Sequence, residues 1–313
     1  MRLGPILSGA DEGLQVATLI RMRPLASVVI PAHNEASVIE RCLTTMLANA
    51  LPGEFDVVVV VNGSTDATAE VARRAAPDAI VEQIPEASKI AALRSGDKIA
   101  KTFPRVYVDA DVEMDTASLR TLVAALDVPD ARAASARMVV DTSASNRWSR
   151  AYFRVWEMTD YRRNAMIGSG VYSVNSEGHR RIADWPMLIA DDLFVQESFA
   201  LGERVVVDAE FSVLAPRTLR DQVRRMTRWR QGNNEFGVFR AANAGRFPEG
   251  PRDSGSSVRA LVRRVARTPT RWADFAVYVG VYLAAGIAAR KDGRSGRGTW
   301  RRDESTRDRS PER

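Results

Sequence analysis

The sequence predicts an α/β fold, a parallel sheet covered by helices on both faces. Three observations carry this. From Leu25 to about residue 111, short runs rich in β-branched residues alternate with helical stretches. The run DVVVVV, Asp56 to Val61, lacks polar alternation, as a strand covered on both faces requires. Polar residues then gather where these strands end, the edge at which open α/β sheets bind ligands.

The elements follow in order. LASVVI opens the sheet. In the next stretch, SVIERCLTTMLANA, residues Val38, Ile39, Cys42, Leu43, Met46 and Leu47 recur at three- and four-residue steps, the apolar stripe of a helix lying on a sheet. Cys42 is therefore core rather than chemistry. DVVVVV, the helix TDATAEVARRAA, the strand AIVEQ, a helix bearing Lys89 and the strand RVYVDAD complete a βαβαβαβ pattern. Further on come a helix from about Thr116 to Leu126, a strand near Ser135 to Val140, and an aromatic-rich helix from about Trp148 to Asn164. A glycine-bearing strand IGSGVYSV, a helix after Ala190, two strands RVVVDAE and FSVLA, and a basic helix LRDQVRRMTRWRQGNNEFGVFR follow. No internal repeat of fixed period is present.

With 313 residues, 45% of them hydrophobic, the chain can build a sizeable core, which excludes wholesale disorder. One cysteine and two histidines, His33 and His179, exclude an internal disulfide and a Cys/His zinc site. The start lacks the apolar stretch of a signal peptide, so a cytoplasmic location is expected, peripheral on the inner face of the membrane if the tail binds lipid. Net charge is +6, and residues 251–313 hold 15 Lys and Arg against 7 Asp and Glu, leaving the preceding 250 residues slightly acidic. Basicity confined to one end argues against a whole-surface nucleic-acid binder and suits an acidic partner at that end, phospholipid or nucleic acid, or simply a solvated disordered tail.

The expected organisation is a flexible arm over residues 1–24, a main domain over 25–243, a Gly/Pro/Ser-rich linker over 244–258, a helical segment over 259–290 and a disordered basic tail over 291–313. Within the helical segment, Trp272 to Ala289 carries one charge, Asp274, and reaches only the lower length limit for a membrane span. Arginines on both sides give no orientation. A helix lying at an anionic surface fits this composition, and so does an ordinary core or dimerisation helix.

Asp109-Ala110-Asp111 follows an apolar strand, and if the extended geometry persists the spacing sends both carboxylates to one side. Two close carboxylates suit a hard divalent ion, Mg²⁺ or Mn²⁺, shared with the oxygens of a diphosphate. Pro31-Ala32-His33-Asn34-Glu35 follows the first strand, where Asn34 could equally cap a helix and Glu35 favour its dipole. Together with Asn62-Gly63-Ser64 and Asp66, these segments place three polar constellations on one sheet edge, which makes a site.

On these residues the chain resembles the family 2 glycosyltransferases of the GT-A fold over roughly residues 25–240: SVVIPAHNEASVI, then NGSTDAT at the end of the second strand, then Asp-Ala-Asp. The resemblance implies a Rossmann-like sheet and a nucleoside diphosphate sugar, UDP-linked in the first instance. Pro31, Ala32, His33, Asn34 and Glu35, with Asn62, Gly63, Ser64 and Asp66, would hold base and ribose, and Lys89 would lie near the nucleotide. Asp109 would lie near ribose and metal, with Ala110 between it and Asp111, the direct metal ligand. A helix-start lysine in solvent is the other reading of Lys89. Relatives commonly end the second strand with two acidic residues, where this chain has Val61-Asn62, and Asn can donate as well as accept.

Ala190-Asp191-Asp192-Leu193 resembles the family's acidic pair at a helix start, which implies Asp192 as catalytic base with Asp191 beside it or serving as helix cap. In an inverting transfer, a carboxylate takes the proton of the attacking hydroxyl. Gly168-Ser169-Gly170 matches a strand lining the acceptor pocket, or is a simple bulge. Arg225-Met226-Thr227-Arg228-Trp229 resembles a Gln-x-x-Arg-Trp motif with Arg225 in place of Gln, where Arg228 would hold diphosphate and Trp229 would stack. The substitution points to one sugar per encounter, given to a glycan or lipid-linked saccharide. Two rivals are a nucleotidyltransferase, disfavoured because PAHNEAS lacks a glycine-rich loop, and a non-catalytic nucleotide- or membrane-binding protein.

Overall fold

The computed structural model describes residues 23–160, 169–249 and 258–295. The first 22 residues of the expected arm over residues 1–24 and most of the expected tail therefore lie outside the described residues, as does Gly168. A seven-stranded sheet in the order β3-β2-β1-β4-β6-β5-β7 organises the chain. Its strands are β1 (Ala26–Ala32), β2 (Phe55–Asn62), β3 (Ile80–Ile84), β4 (Arg105–Val108), β5 (Ala133–Asp141), β6 (Val171–Val174) and β7 (Arg204–Leu214). β1 to β4 are mutually parallel, as the alternating pattern predicts. β6 runs antiparallel to both β4 and β5, so the complete sheet is mixed.

Helices cover both faces. α1 (Ile39–Leu47), α2 (Thr68–Ala75) and α4 (Thr116–Ala124) pack on one, where Val57, Val59 and Val61 point. α3 (Lys89–Ile99), α6 (Ser176–Ile182), α7 (Asp191–Glu197) and the long α8 (Leu219–Ala242) take the other, with Val58 and Val60. The DVVVVV strand is thus buried on both sides, and Cys42 sits in the first core with its thiol pushed up by burial.

Several boundaries differ from the sequence expectation. RVVVDAE and FSVLA form one strand, β7, which accommodates a register shift opposite Ser135 and Arg137 of β5. α5 (Arg147–Trp156) starts where Asn146 accepts the Trp148 and Ser149 amides, and ends before the expected Asn164. Within the expected linker, Phe247 is buried against the rings of Phe194, Phe236 and Phe239, which pins residues 244–249 to the core.

The C-terminal helices α9 (Val258–Ala266) and α10 (Trp272–Ser295) pack back onto the sheet domain, and helix persists past residue 291 into the expected tail. Val281 and Ala285 are buried, and Val281 joins Tyr152, Phe153 and Ala215 in a core cluster, while Leu261 and Val265 meet Val155. Asp274 is buried and bound by the Arg154 guanidinium at 2.7 and 2.6 Å, with Arg271 at 3.2 Å. The other face of α10 is apolar and bare: Leu283 is 62% exposed and Ile287 69%. Among the described residues, Pro269–Lys291 is the one helix long and apolar enough to cross a membrane.

Candidate active site

The carboxyl ends of β1, β2 and β4 meet the first turns of α3 and α7 at one cavity of about 710 Å³. Lys89 is the first residue of α3, a helix held at its start by the Ser88 hydroxyl, which accepts the Ala91 amide. The lysine turns inward instead of projecting into solvent as a helix-start lysine would. Its Nζ lies 2.7 Å from Asp109 Oδ1 and 2.9 Å from Asp191 Oδ2. Burial pulls the ammonium down, but the two carboxylates outweigh it and hold it above the ordinary lysine range.

Asp109 and Asp111 do not continue the strand. The Val112 amide donates to the Asp109 carbonyl at 3.1 Å and closes a turn, so the expected extended geometry fails, yet both residues line the cavity. Gly170 permits this turn: at φ +112° its carbonyl accepts the Asp109 amide, and a Cβ there would fall 2.9 Å from Val112 Cγ2. Burial pushes the Asp109 carboxyl up to about 6, with Lys89 opposing and the carboxylates of Asp191 and Asp111 adding.

Asp191 and Asp192 are the first two residues of α7 rather than its cap, a position held by Ala190, whose side chain bonds no helix amide. Asp191 points inward, 5% exposed, and accepts the Tyr172 hydroxyl at 2.9 Å as well as Lys89. Asp192 lines the cavity, accepting the Leu193 amide at 2.8 Å and the Ser169 amide at 3.3 Å. Burial and the neighbouring Asp191 charge push its carboxyl up, which moves it toward the range of a working base.

The β1 and β2 loops are stitched together. His33 Nδ1 lies 2.5 Å from the Asn62 carbonyl, and Asn34, at φ +52°, accepts the Thr65 amide while its own amide donates to Ser64. Asn34 is therefore not a helix cap: α1 starts at Ile39, five residues on, with no side-chain cap. Asp66 accepts the Ala36 and Thr68 amides, which turns it toward the loop rather than the cavity. Ala32 is buried, and Gly63 and Ser64 line a smaller adjoining hollow with Gln83 and Pro85. Pro31, His33, Glu35 and Asn62 reach the main cavity, as does Ala110. Asn62 is 1% exposed and its buried Nδ2 has no hydrogen-bond partner.

α8 forms the far wall, with Gln222, Arg225, Arg228, Trp229 and Gly232 on one face. Burial pulls the Arg228 guanidinium down against the charges of Asp191, Asp109 and Asp192. A Cβ at Gly232 would lie 3.1 Å from Ala190 Cβ, so this glycine lets α8 approach the residue before the acidic pair. Past Arg225 the cavity turns apolar, between Tyr152, Phe153, Trp156, Tyr278 and Leu283. Neither Tyr172 nor these apolar residues carries a sequence signal of its own, because burial and packing partners define them.

The oxygen donors of Asp109 and Asp111 suit a hard cation such as Mg²⁺ or Mn²⁺. Among the described residues no group of three or more His, Cys, Asp or Glu converges, so an ion here needs oxygens from a bound ligand as well.

Residues 27–181 match the model of Glycosyl transferase family 2. These residues form a family 2 glycosyltransferase domain. Over 52 residues, 16% of the chain, it is 44% identical to the glycosyltransferase AglE of Haloferax volcanii, covering 17% of that protein. Over 101 residues, 32% of the chain, it is 40% identical to an uncharacterised glycosyltransferase of Mycobacterium tuberculosis, covering 43% of it. These matches span less than half the length of the curated relatives. Among solved structures, a mannosyltransferase of Pyrobaculum calidifontis in complex with GDP-Man and Mn²⁺ superposes with a TM-score of 0.60 at 20% identity, covering 87% of this chain and 88% of that one. That likeness extends the GT-A fold across the family 2 domain and the helices that follow it.

Proposed function

We propose that the protein transfers a sugar from a nucleoside diphosphate donor to a hydroxyl acceptor, with inversion at the anomeric carbon and with Mg²⁺ or Mn²⁺ as cofactor. The observation that carries this reading is that Asp109, Asp111 and Asp192 line one cavity, donor-side carboxylates and a candidate base facing a common space. The structural neighbour's GDP-Man and Mn²⁺ support it.

Asp111 and Asp109 would hold the metal together with the diphosphate, and the bound metal supplies a Lewis acid that offsets charge on the leaving group. Pro31, His33, Glu35 and Asn62 face the nucleoside, where the Asn62 amide offers a donor to a base carbonyl. A uracil or a guanine presents such an oxygen, and UDP is the first donor to try. Arg228 holds phosphate from the α8 side. Asp192, its proton affinity raised, takes the proton of the acceptor hydroxyl.

The apolar end of the cavity favours an acceptor with a hydrocarbon part, a lipid-linked saccharide rather than a free glycan. The bare apolar face of α10, flanked by Arg271 and Arg290, would lie on the cytoplasmic face of an anionic membrane. Arg225 in place of Gln supports a single transfer per encounter.

Thermal unfolding with Mn²⁺ and a panel of nucleoside diphosphates tests the donor site, since a ligand that binds only the native state raises the midpoint. One diphosphate should raise it only with metal, and Asp111→Ala should abolish that shift. No shift with any nucleotide, in a folded protein, would overturn the reading, as would release of pyrophosphate in place of nucleoside diphosphate.

A further inference from the structure

The donor site has a charge problem before any ligand arrives. Asp109, Asp111, Asp191 and Asp192 all line one cavity, and the Lys89 ammonium lies within 3 Å of two of them. We infer that Lys89 is the resident counter-ion of the donor site: it holds Asp109 in the ligand-free protein and gives that carboxylate up when metal arrives with the nucleoside diphosphate, while keeping Asp191. This rests on the glycosyltransferase reading.

A divalent ion coming alone must compete with the ammonium for Asp109, and two cations sharing one carboxylate at contact distance repel each other. It also finds too few protein ligands, because no third acidic or histidine side chain converges among the described residues. A diphosphate removes both obstacles. Its oxygens would complete the metal's shell and provide a new anion for the lysine, which already lines the cavity with its side chain 22% exposed. Asp191 stays in place during the exchange because the Tyr172 hydroxyl binds it independently. The acidic pair at the start of α7 thus keeps its position whichever partner Asp109 has.

The consequence is positive coupling between metal and nucleotide, each tightening the other by the same factor. Lys89 is a positioning residue whose removal should weaken that coupling. The test measures Mn²⁺ binding by the electron paramagnetic resonance signal of the free ion, with and without the diphosphate found active in thermal unfolding. Wild type should bind Mn²⁺ alone at least about tenfold more weakly than with nucleotide, and Lys89→Met should tighten binding of Mn²⁺ alone by about tenfold while shrinking the nucleotide's effect. Lys89→Gln, which retains a donor for the carboxylates, serves if the methionine variant fails to fold, and should move both quantities the same way. Unchanged Mn²⁺ affinity in a folded variant would overturn the counter-ion role with the transferase reading intact. Wild type that binds no Mn²⁺ even with nucleotide would overturn the transferase reading itself.

Discussion

The Tyr172 hydroxyl donates to Asp191 across 2.9 Å, on the same carboxylate oxygen that receives Lys89. The tyrosine comes from β6, the antiparallel strand, and is itself fully buried, so the sheet core reaches directly into the acidic pair. Asp191 is thereby a buried structural anchor in the cavity wall, and Asp192 beside it is the less buried carboxylate of the pair.

Tyr172→Phe should destabilise the fold by about 1–3 kcal/mol, the cost of losing a hydrogen bond to a buried charged group. Turnover should fall with little change in donor affinity, because the anchor acts on α7 rather than on the nucleotide. Chemical denaturation and steady-state kinetics on one preparation check this, and an unaltered midpoint would remove Tyr172 from the anchor.

Asp192→Asn should lower turnover by on the order of a hundredfold or more, as loss of a general base does, while metal-dependent donor binding persists. The pH dependence has a definite sign. Burial and the Asp191 charge raise the Asp192 proton affinity, and a base works only when deprotonated, so wild-type turnover should fall with acid, its limb above the ordinary carboxylate range. Near-normal activity in the variant would move the base to another residue.

Asp274 ties α10 to α5 through Arg154, whose guanidinium hydrogen bonds hold the carboxyl below its usual range. A depressed carboxyl contributes stability that is present above its unfolded value, near 3.8, and is lost as pH drops through the lower folded value. Asp274→Asn should therefore cost about 1–3 kcal/mol near neutral pH and speed amide exchange in α10 before the sheet. Uniform loss of protection across sheet and helix would show that α10 is not a separable unit.

Leu283→Asp with Ile287→Asp should release the protein from vesicles rich in anionic phospholipid while leaving its melting temperature nearly unchanged, since both side chains are exposed. Co-sedimentation reads the first and calorimetry the second. Vesicle binding that survives the double substitution would move membrane contact elsewhere.

Local pattern alone determined the first half of this protein. β-branched runs and helical stripes specify β1 to β4 and the helices between them, because a strand buried on both faces and a helix buried on one each leave a periodic trace in the chain. The sheet edge bearing His33, Asn62, Asp109 and Asp111 was legible for the same reason: connections follow strands, and polar residues at strand ends are visible in order. Pairing across long sequence separation leaves no such trace. The reversal of β6, the fusion of two apparent strands into β7, and the docking of α10 depend on which surfaces meet in three dimensions. So does the fate of Asp274, which reads as a lone charge in an apolar helix until Arg154 of α5 is brought against it. The same holds at the site. Sequence placed Lys89 at a helix start and Asp191 beside Asp192, but only tertiary structure turned Lys89 inward between Asp109 and Asp191. An ammonium stays there because two carboxylates, from a turn after β4 and from the start of α7, together outweigh what burial takes away.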